Sequence, residues 1–366
     1  QKVAQQISSF DPYDQNHYAN WFEPEWMFGS EVNGGFDIVI GNPPYVSNKD
    51  LIKENKKAFE KLYKVAIAQY DLFNIFIEKS FYLLSKTGCH SFIIPDSFLG
   101  RSSFKDCRLF FLDNFSCKSI LHFNKVFEEA VVSSIVYIVS KVKNSTQQVS
   151  YLKSETVKDW IENRVSLVSF DQNEVKKNID AKILHLSSNK LSVLRKIFNN
   201  KIALEDIAVM WRGEEIGKKS SIIESEGSRD KIKIATGENV SRYSISNEIN
   251  YIKKSAVVKS IDLYLKSKVC VRQLGVIINA AVDIEGIVST QSVYNILPNQ
   301  YTPNFIAALL NSKVTDFIYQ SVFKEKMEFP RILLENLKVL PIAVIDSKKQ
   351  KNINSLVDQI LTSKKT

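Results

Sequence analysis

Short apolar runs and helical spacings alternate over the first 140 residues. Phe36–Gly41 (FDIVIG) is rich in β-branched residues, the pattern of a strand covered on both faces. Residues 70–86 place Leu72, Ile75, Phe76, Phe81 and Leu84 at helical spacing, and Gly88 follows as a stop. His90–Pro95 (HSFIIP) is strand-like again. A helix is predicted over Ser103–Asn114, with Ser102 or Ser103 as its N-cap. Ser119–Phe123 and Val131–Ser140 predict two more strands, and the stretch between them is too short for a helical crossover, so they are expected to pair antiparallel. The fold class is therefore α/β, a mostly parallel sheet ending in an antiparallel edge hairpin.

From about 141 to 190 the pattern weakens into polar, Lys- and Asn-rich sequence, which reads as a connection holding short elements. Beyond 190, short strand candidates (231–235, 268–274, 293–297) mix with predicted helices at 190–199, 303–320 and 347–363, an α+β pattern. The expected organisation is 1–145 for the first domain, 146–189 for the connection, 190–345 for the second domain and 346–366 for a terminal helix.

Composition narrows the function classes. The 366 residues are 44% hydrophobic and 24% charged, the balance of a globular rather than a disordered chain. The net charge of +9 is unevenly placed: residues 1–150 hold 16 Lys/Arg and 16 Asp/Glu, whereas 151–366 hold 33 and 24. A neutral part joined to a basic part suggests that the basic part holds a polyanion. Cys89, Cys107, Cys117 and Cys270 form no CxxC pair, so buried reduced thiols are expected rather than disulfides or zinc. His17, His90, His122 and His185 form no metal spacing. No apolar run reaches membrane-spanning length, and no signal peptide is seen, which excludes a membrane role. A start at Gln1 without Met leads to the expectation of a piece of a longer protein.

The chemistry concentrates in Asn42-Pro43-Pro44-Tyr45, directly after the strand Phe36–Gly41. Two prolines fix φ and remove amide donors, so the motif would aim Asn42 and the Pro43 carbonyl into the crevice at the sheet's carboxyl edge. A side-chain carbonyl beside a rigid main-chain carbonyl suits an amino group with two N–H donors. Such acceptors would hold an exocyclic amine toward pyramidal geometry and stabilise positive charge as it attacks a methyl group. Tyr45 supplies a ring on which a planar base can stack. A bare PP after a strand is more often a stiff turn; the whole string at the end of a buried strand favours function.

FDIVIGNPPYV resembles the catalytic motif of S-adenosylmethionine-dependent amino-methyltransferases, the DNA adenine methyltransferases in particular. DLFNIFIEKSFYLLSKTGCHSFIIPDSFL and SFKDCRLFFLDNFSCKSILHFNKVFEEAVVSSIVYIVS resemble the following units of TaqI-like enzymes. The resemblance implies the later part of a Rossmann-like methyltransferase sheet, with Phe127 as a second ring on the flipped base, opposite Tyr45. LEDIAVMWRGEEIGKKS, KIATGENVSRYSI, SKVCVRQLG, FIAALLNSKVTDFIY and FPRILLENLKVLPIAV resemble, more loosely, the TaqI-like target-recognition domain. It implies double-stranded DNA as partner, with Arg212, Arg242, Lys253, Lys254, Arg272, Lys324 and Arg331 as candidate contacts. The whole resembles a bacterial, cytoplasmic restriction–modification enzyme of the type IIG sort. No FxGxG-like cofactor turn is present, and Asn20 stands where relatives carry an acid. The S-adenosylmethionine site is therefore expected to be incomplete, completed by an upstream part of the same polypeptide, and this segment is expected to be inactive alone. Competing readings are an RNA adenine methyltransferase, a protein-glutamine methyltransferase, and a DNA-binding module with a relict catalytic half.

Overall fold

The FDIVIG run is strand β1 (Phe36–Gly41) in a computed structural model that describes residues 4–5, 8–9, 24–126, 133–142, 147–199, 202–217, 220–323 and 330–363. The chain divides into two units, Gln1–His185 and Leu186–Thr366. In the first, β1 is joined by β2 (Leu84–Pro95), β3 (Ser116–Lys125), β4 (Ser134–Ser140), β5 (Gln148–Thr156) and β6 (Ser166–Asp171). They lie in the order β1-β2-β4-β3-β5-β6. The pairs β1/β2 and β3/β5 are parallel, and the other three are antiparallel.

The hairpin β3–β4 is antiparallel, as its short connection requires, but it does not end the sheet. β4 inserts between β2 and β3, and the segment expected to be a connection supplies β5 and β6. Alternation explains why: along QVSYLKSET, Val149 and Tyr151 are buried while Gln148 and Ser150 face water. β1 also differs from expectation. Ile38 and Ile40 are 71% and 78% exposed. Among the described residues β1 has one neighbour, β2, so only part of the strand packs on the core, through Val39.

The helix Leu72–Leu83 runs directly into β2, so Gly88 is not its stop. Gly88 lies instead where the β1/β2 register shifts between Phe36 and Ile38. A Cβ there would sit 2.8 Å from the Phe36 carbonyl oxygen, so the strands approach this closely only because the side chain is absent. The predicted serine cap also gives way: the Ser102 hydroxyl donates to Asp180 Oδ2 at 2.9 Å, and a 3₁₀ turn, Ser102–Phe104, leads into the helix Lys105–Asn114. The two helices share an aromatic core in which Phe73 meets Phe104 edge-on at 5.2 Å and Phe81 meets Phe110 at 5.7 Å.

The second unit is built on small sheets. β7 (Ile202–Ala203) pairs with a late strand at Pro341–Ile342. β8 (Ala208–Arg212), β9 (Lys231–Ala235), β10 (Val240–Ser241), β11 (Ser244–Ile245), β12 (Asn250–Lys253), β13 (Lys268–Arg272), β14 (Ala280–Asp283), β15 (Val288–Ser289) and β16 (Val293–Pro298) follow in sequence. The main sheet is antiparallel in the order β14-β13-β16-β8, beside a three-stranded sheet β12-β9-β15. Helices form over Ser188–Asn199 and Ser347–Ser363, as the periodicity indicates. The predicted helix 303–320 breaks into Pro303–Leu310 and Lys313–Ile318. Asn311 causes the break: wholly buried, it accepts from the Ala280 amide (3.1 Å) and donates to the Ala280 carbonyl (2.8 Å), while Ser312 caps Thr315.

Cys107, Cys117 and Cys270 are buried free thiols, each pushed up to about 12 by loss of solvent. Among the described residues, no cluster of His, Cys, Asp and Glu could hold a metal, and no helix is long and apolar enough to cross a membrane.

Candidate functional site

The ladder between β1 and β2 runs to Gly41 opposite Phe92. The chain is next fastened at Val46, whose carbonyl accepts from the Leu72 amide at 2.8 Å, and at Asn48, whose amide donates to the Tyr70 carbonyl at 2.9 Å. Residues 42–45 therefore bridge two fixed points, with prolines at both central positions. Pro43 is buried, while Asn42 and Pro44 face water. Tyr45 is tied by its hydroxyl, which donates to the Ile93 carbonyl at 3.2 Å. Partial burial pushes its phenol up, against a weaker downward pull from the Ser134 hydroxyl. No hydrogen bond engages the Asn42 side chain or the Pro43 carbonyl among the described residues. Two carbonyl acceptors thus stand uncommitted, one of them on a backbone that cannot rotate away. Phe127, the expected second ring, lies outside the described residues.

A polar pair that sequence reasoning missed lies at the ends of the neighbouring strands. Asp96, immediately after β2, places Oδ2 3.3 Å from Nε2 of His122, and His122 Nδ1 lies 2.8 Å from the Tyr151 hydroxyl. Burial pushes the Tyr151 phenol far up, and the imidazole tautomer sets which of the two atoms donates. The Asp96 amide donates to the Ser133 carbonyl at 3.0 Å, and the Ser133 hydroxyl donates to the Asn124 carbonyl at 3.2 Å. Asp96 thereby holds both strand ends from which the β3–β4 connection departs. Twenty-six residues separate Asp96 from His122, and nothing in the linear sequence signals their meeting.

The predicted DNA contacts separate by what their side chains already do. Arg212 Nε donates to the Gln291 carbonyl at 2.8 Å, and Arg242 donates to the Asn311 carbonyl, so both have internal partners. Lys254 donates to the Arg229 carbonyl at 3.0 Å, beside the exposed Lys253. No hydrogen bond or ion pair engages the guanidinium groups of Arg272 and Arg331 among the described residues. Lys324 lies outside them.

Residues 1–127 match the model of the Eco57I restriction-modification methylase, and residues 232–342 match that of the TaqI-like C-terminal specificity domain. The chain joins an Eco57I-like methylase domain to a TaqI-like specificity domain. The motif 42–45, Asp96 and His122 fall in the methylase match; Arg242, Lys253, Lys254, Arg272 and Arg331 fall in the specificity match, and Arg212 in neither. A protein of Methanocaldococcus jannaschii described as a type II restriction enzyme and methyltransferase is 25% identical over 356 residues, 92% of this chain and 29% of its own length. The type II methyltransferase M.BstVI of Geobacillus stearothermophilus is 35% identical over 116 residues, 31% of this chain and 21% of its own. The chain thus spans under a third of these relatives. The restriction-modification enzyme MmeI, solved with DNA, shares the fold at a TM-score of 0.59 and 11% identity, over 93% of this chain and 51% of that one.

The two glycines that flank β1 are not a cradle for S-adenosylmethionine. Gly41, at the carboxyl end of β1, faces the Phe92 ring 3.3 Å from where its Cβ would lie, and Gly35 is packed against the backbone of Leu84 and Ser85. Neither of these two glycines leaves room for a cofactor beside it.

Proposed function

We propose that this chain supplies the base-binding side of the catalytic site, and the specificity domain, of a DNA methyltransferase. Its reaction is methyl transfer from S-adenosylmethionine to the exocyclic amine of an adenine flipped out of a duplex. The observation that carries this reading is the pair of uncommitted acceptors, the Asn42 side-chain carbonyl and the Pro43 carbonyl, on the rigid bridge at the end of β1. The cofactor, when bound, supplies the electrophilic methyl group. Asn42 and Pro43 accept the two amine hydrogens, draw the nitrogen lone pair out of conjugation and favour the charge that grows on nitrogen. The Tyr45 ring, tethered to Ile93, and Phe127 sandwich the base. Among the described residues β1 has a neighbour on one side alone, and this edge, with Ile38 and Ile40 exposed, fits completion of the sheet and cofactor site by a preceding part of the same polypeptide.

The match to a specificity domain favours duplex DNA over RNA or protein as the substrate. The test uses the full-length protein with radiolabelled S-adenosylmethionine and genomic duplex DNA. Asn42→Ala should lower transfer by roughly 10²–10³-fold, as loss of one transition-state hydrogen bond does elsewhere, and leave DNA affinity near that of the parent. Activity comparable to the parent would remove the mechanism. DNA binding without transfer by the unaltered protein would leave a specificity module alone.

A further inference from the structure

The turn between β13 and β14 carries three aliphatic side chains in water. Leu274, Val276 and Ile277 are 42%, 47% and 39% exposed, whereas the next residue, Ile278, is fully buried and anchors the turn from beneath. The backbone is held from several sides. The Gly275 amide donates to the Pro330 carbonyl at 3.0 Å, the Ile332 amide to the Gln273 carbonyl at 2.7 Å, and the Arg272 amide to the Asn279 carbonyl at 3.1 Å. The Gln320 side chain donates to the Val276 carbonyl, and Gly275 takes φ +148°, a conformation open to glycine. A fixed backbone presenting an apolar cluster to solvent is a surface built for contact, because its ordering precedes binding.

The surroundings name the partner. Arg272 stands at the base of the turn, and Arg331 pairs with Leu274 across a β-bridge; neither guanidinium has an internal partner among the described residues. The segments 271–279 and 330–333 contain these two arginines and no acid, and the carboxylate at the base of the turn, Asp316 beside the Ile278 amide, faces Arg242 at 4.0 Å. An apolar tip between two free cations fits a polyanion with a hydrophobic interior, which is duplex DNA: phosphates outside and stacked bases within.

We propose that Leu274, Val276 and Ile277 form a wedge that parts one base step of the bound duplex, while Arg272 and Arg331 hold flanking phosphates. The proposal rests on the reading of this domain as DNA-binding. An unstacked step would let the domain select for deformable sequence at a position it does not read by hydrogen bonds.

The experiment uses the full-length protein and a duplex carrying the target site mapped from its own methylation. 2-Aminopurine is placed in turn at positions other than the target adenine. One position should brighten on binding. The variant Leu274→Ser/Val276→Ser/Ile277→Ser should lose that signal and bind roughly 10- to 100-fold more weakly, with the salt dependence of binding unchanged. Arg331→Gln should do the reverse, keeping the signal while lowering the slope of log K against log salt by about one. Because each of the three side chains is more than half buried, the triple variant should unfold at a somewhat lower temperature, so binding is compared well below it; the single Val276→Ser, with the most exposed of the three, gives a smaller loss of binding in the same direction. Equal binding and an unchanged signal in the triple variant would overturn the wedge alone. So would a dimer of the parent that dissociates in the variant, which would make the patch a contact between copies. Failure of the parent to bind any duplex would overturn both the wedge and the reading beneath it.

Discussion

The hydroxyl of Tyr45 donates to the main-chain carbonyl of Ile93, 48 residues away on the neighbouring strand, at 3.2 Å. The aromatic ring of the motif is therefore oriented by β2 rather than by the strand that leads into it. Tyr45→Phe keeps the ring and loses one neutral hydrogen bond, worth about 1 kcal/mol. Turnover should fall severalfold, with little change in DNA affinity. Tyr45→Ala removes the stacking surface as well, about 1–3 kcal/mol per base, and should suppress turnover further. Steady-state methylation kinetics on duplex DNA separate the two variants; equal rates for Phe and Ala would remove the stacking role.

Acid should destabilise the methylase unit through His90. Burial pushes its imidazole down to about 3. With a folded value below the unfolded one of about 6.5, the unfolded chain binds the extra proton, so stability is full above 6.5 and declines as pH falls toward 3. Between pH 7 and pH 5 the loss should be about 2 kcal/mol. Urea unfolding at the two pH values measures it, and His90→Phe should remove most of the difference.

In the specificity unit, Lys268 and Asp283 form a wholly buried ion pair. Asp283 also accepts from the amides of Glu285 (2.9 Å), Gly286 (3.2 Å) and Ile287 (2.9 Å), so it shapes the turn leading to β15. Lys268→Met leaves the carboxylate buried without its cation and should cost about 3–5 kcal/mol. Replacing both partners with apolar residues should not restore stability, because three amides then lose their acceptor. Calorimetry of the single and double variants decides; full recovery in the double variant would show that the amide bonds contribute nothing.

Gly88→Ala should part β1 from β2. The new methyl group would meet the Phe36 carbonyl oxygen and Leu84 Cδ2, each 2.8 Å away. The expected cost is about 1–3 kcal/mol, with a larger proportional loss of methyl transfer than of DNA binding, because the shifted strand carries Asn42. Unaltered transfer would show that strand spacing at the amino end does not govern the motif at the other.

Local patterns were legible wherever one residue's own chemistry sets the structure. FDIVIG followed by two prolines marks both the strand and the bridge after it, and KIKIA coincides with β9. Contacts between distant positions were not. β5 and β6 alternate buried and exposed residues within a stretch whose lysines and asparagines read as linker. The break at Asn311 depends on Ala280, and the role of Asp96 depends on His122. Arg212 and Arg242 look alike in sequence to Arg272 and Arg331; only the carbonyls beside them distinguish a brace from a free cation.

The strand that leads into Asn42 is an edge strand among the described residues: it has one neighbour, a register shift, and two isoleucines largely exposed. In such a strand the amides should exchange with solvent sooner than those of β3 or β4, whose ladders are closed on both sides. Whatever covers Ile38 and Ile40 would stiffen the backbone that carries the acceptors. Assembly of this unit with its cover and the readiness of its chemistry would then be one equilibrium, and an uncovered unit would be quiet for mechanical reasons before any question of cofactor arises.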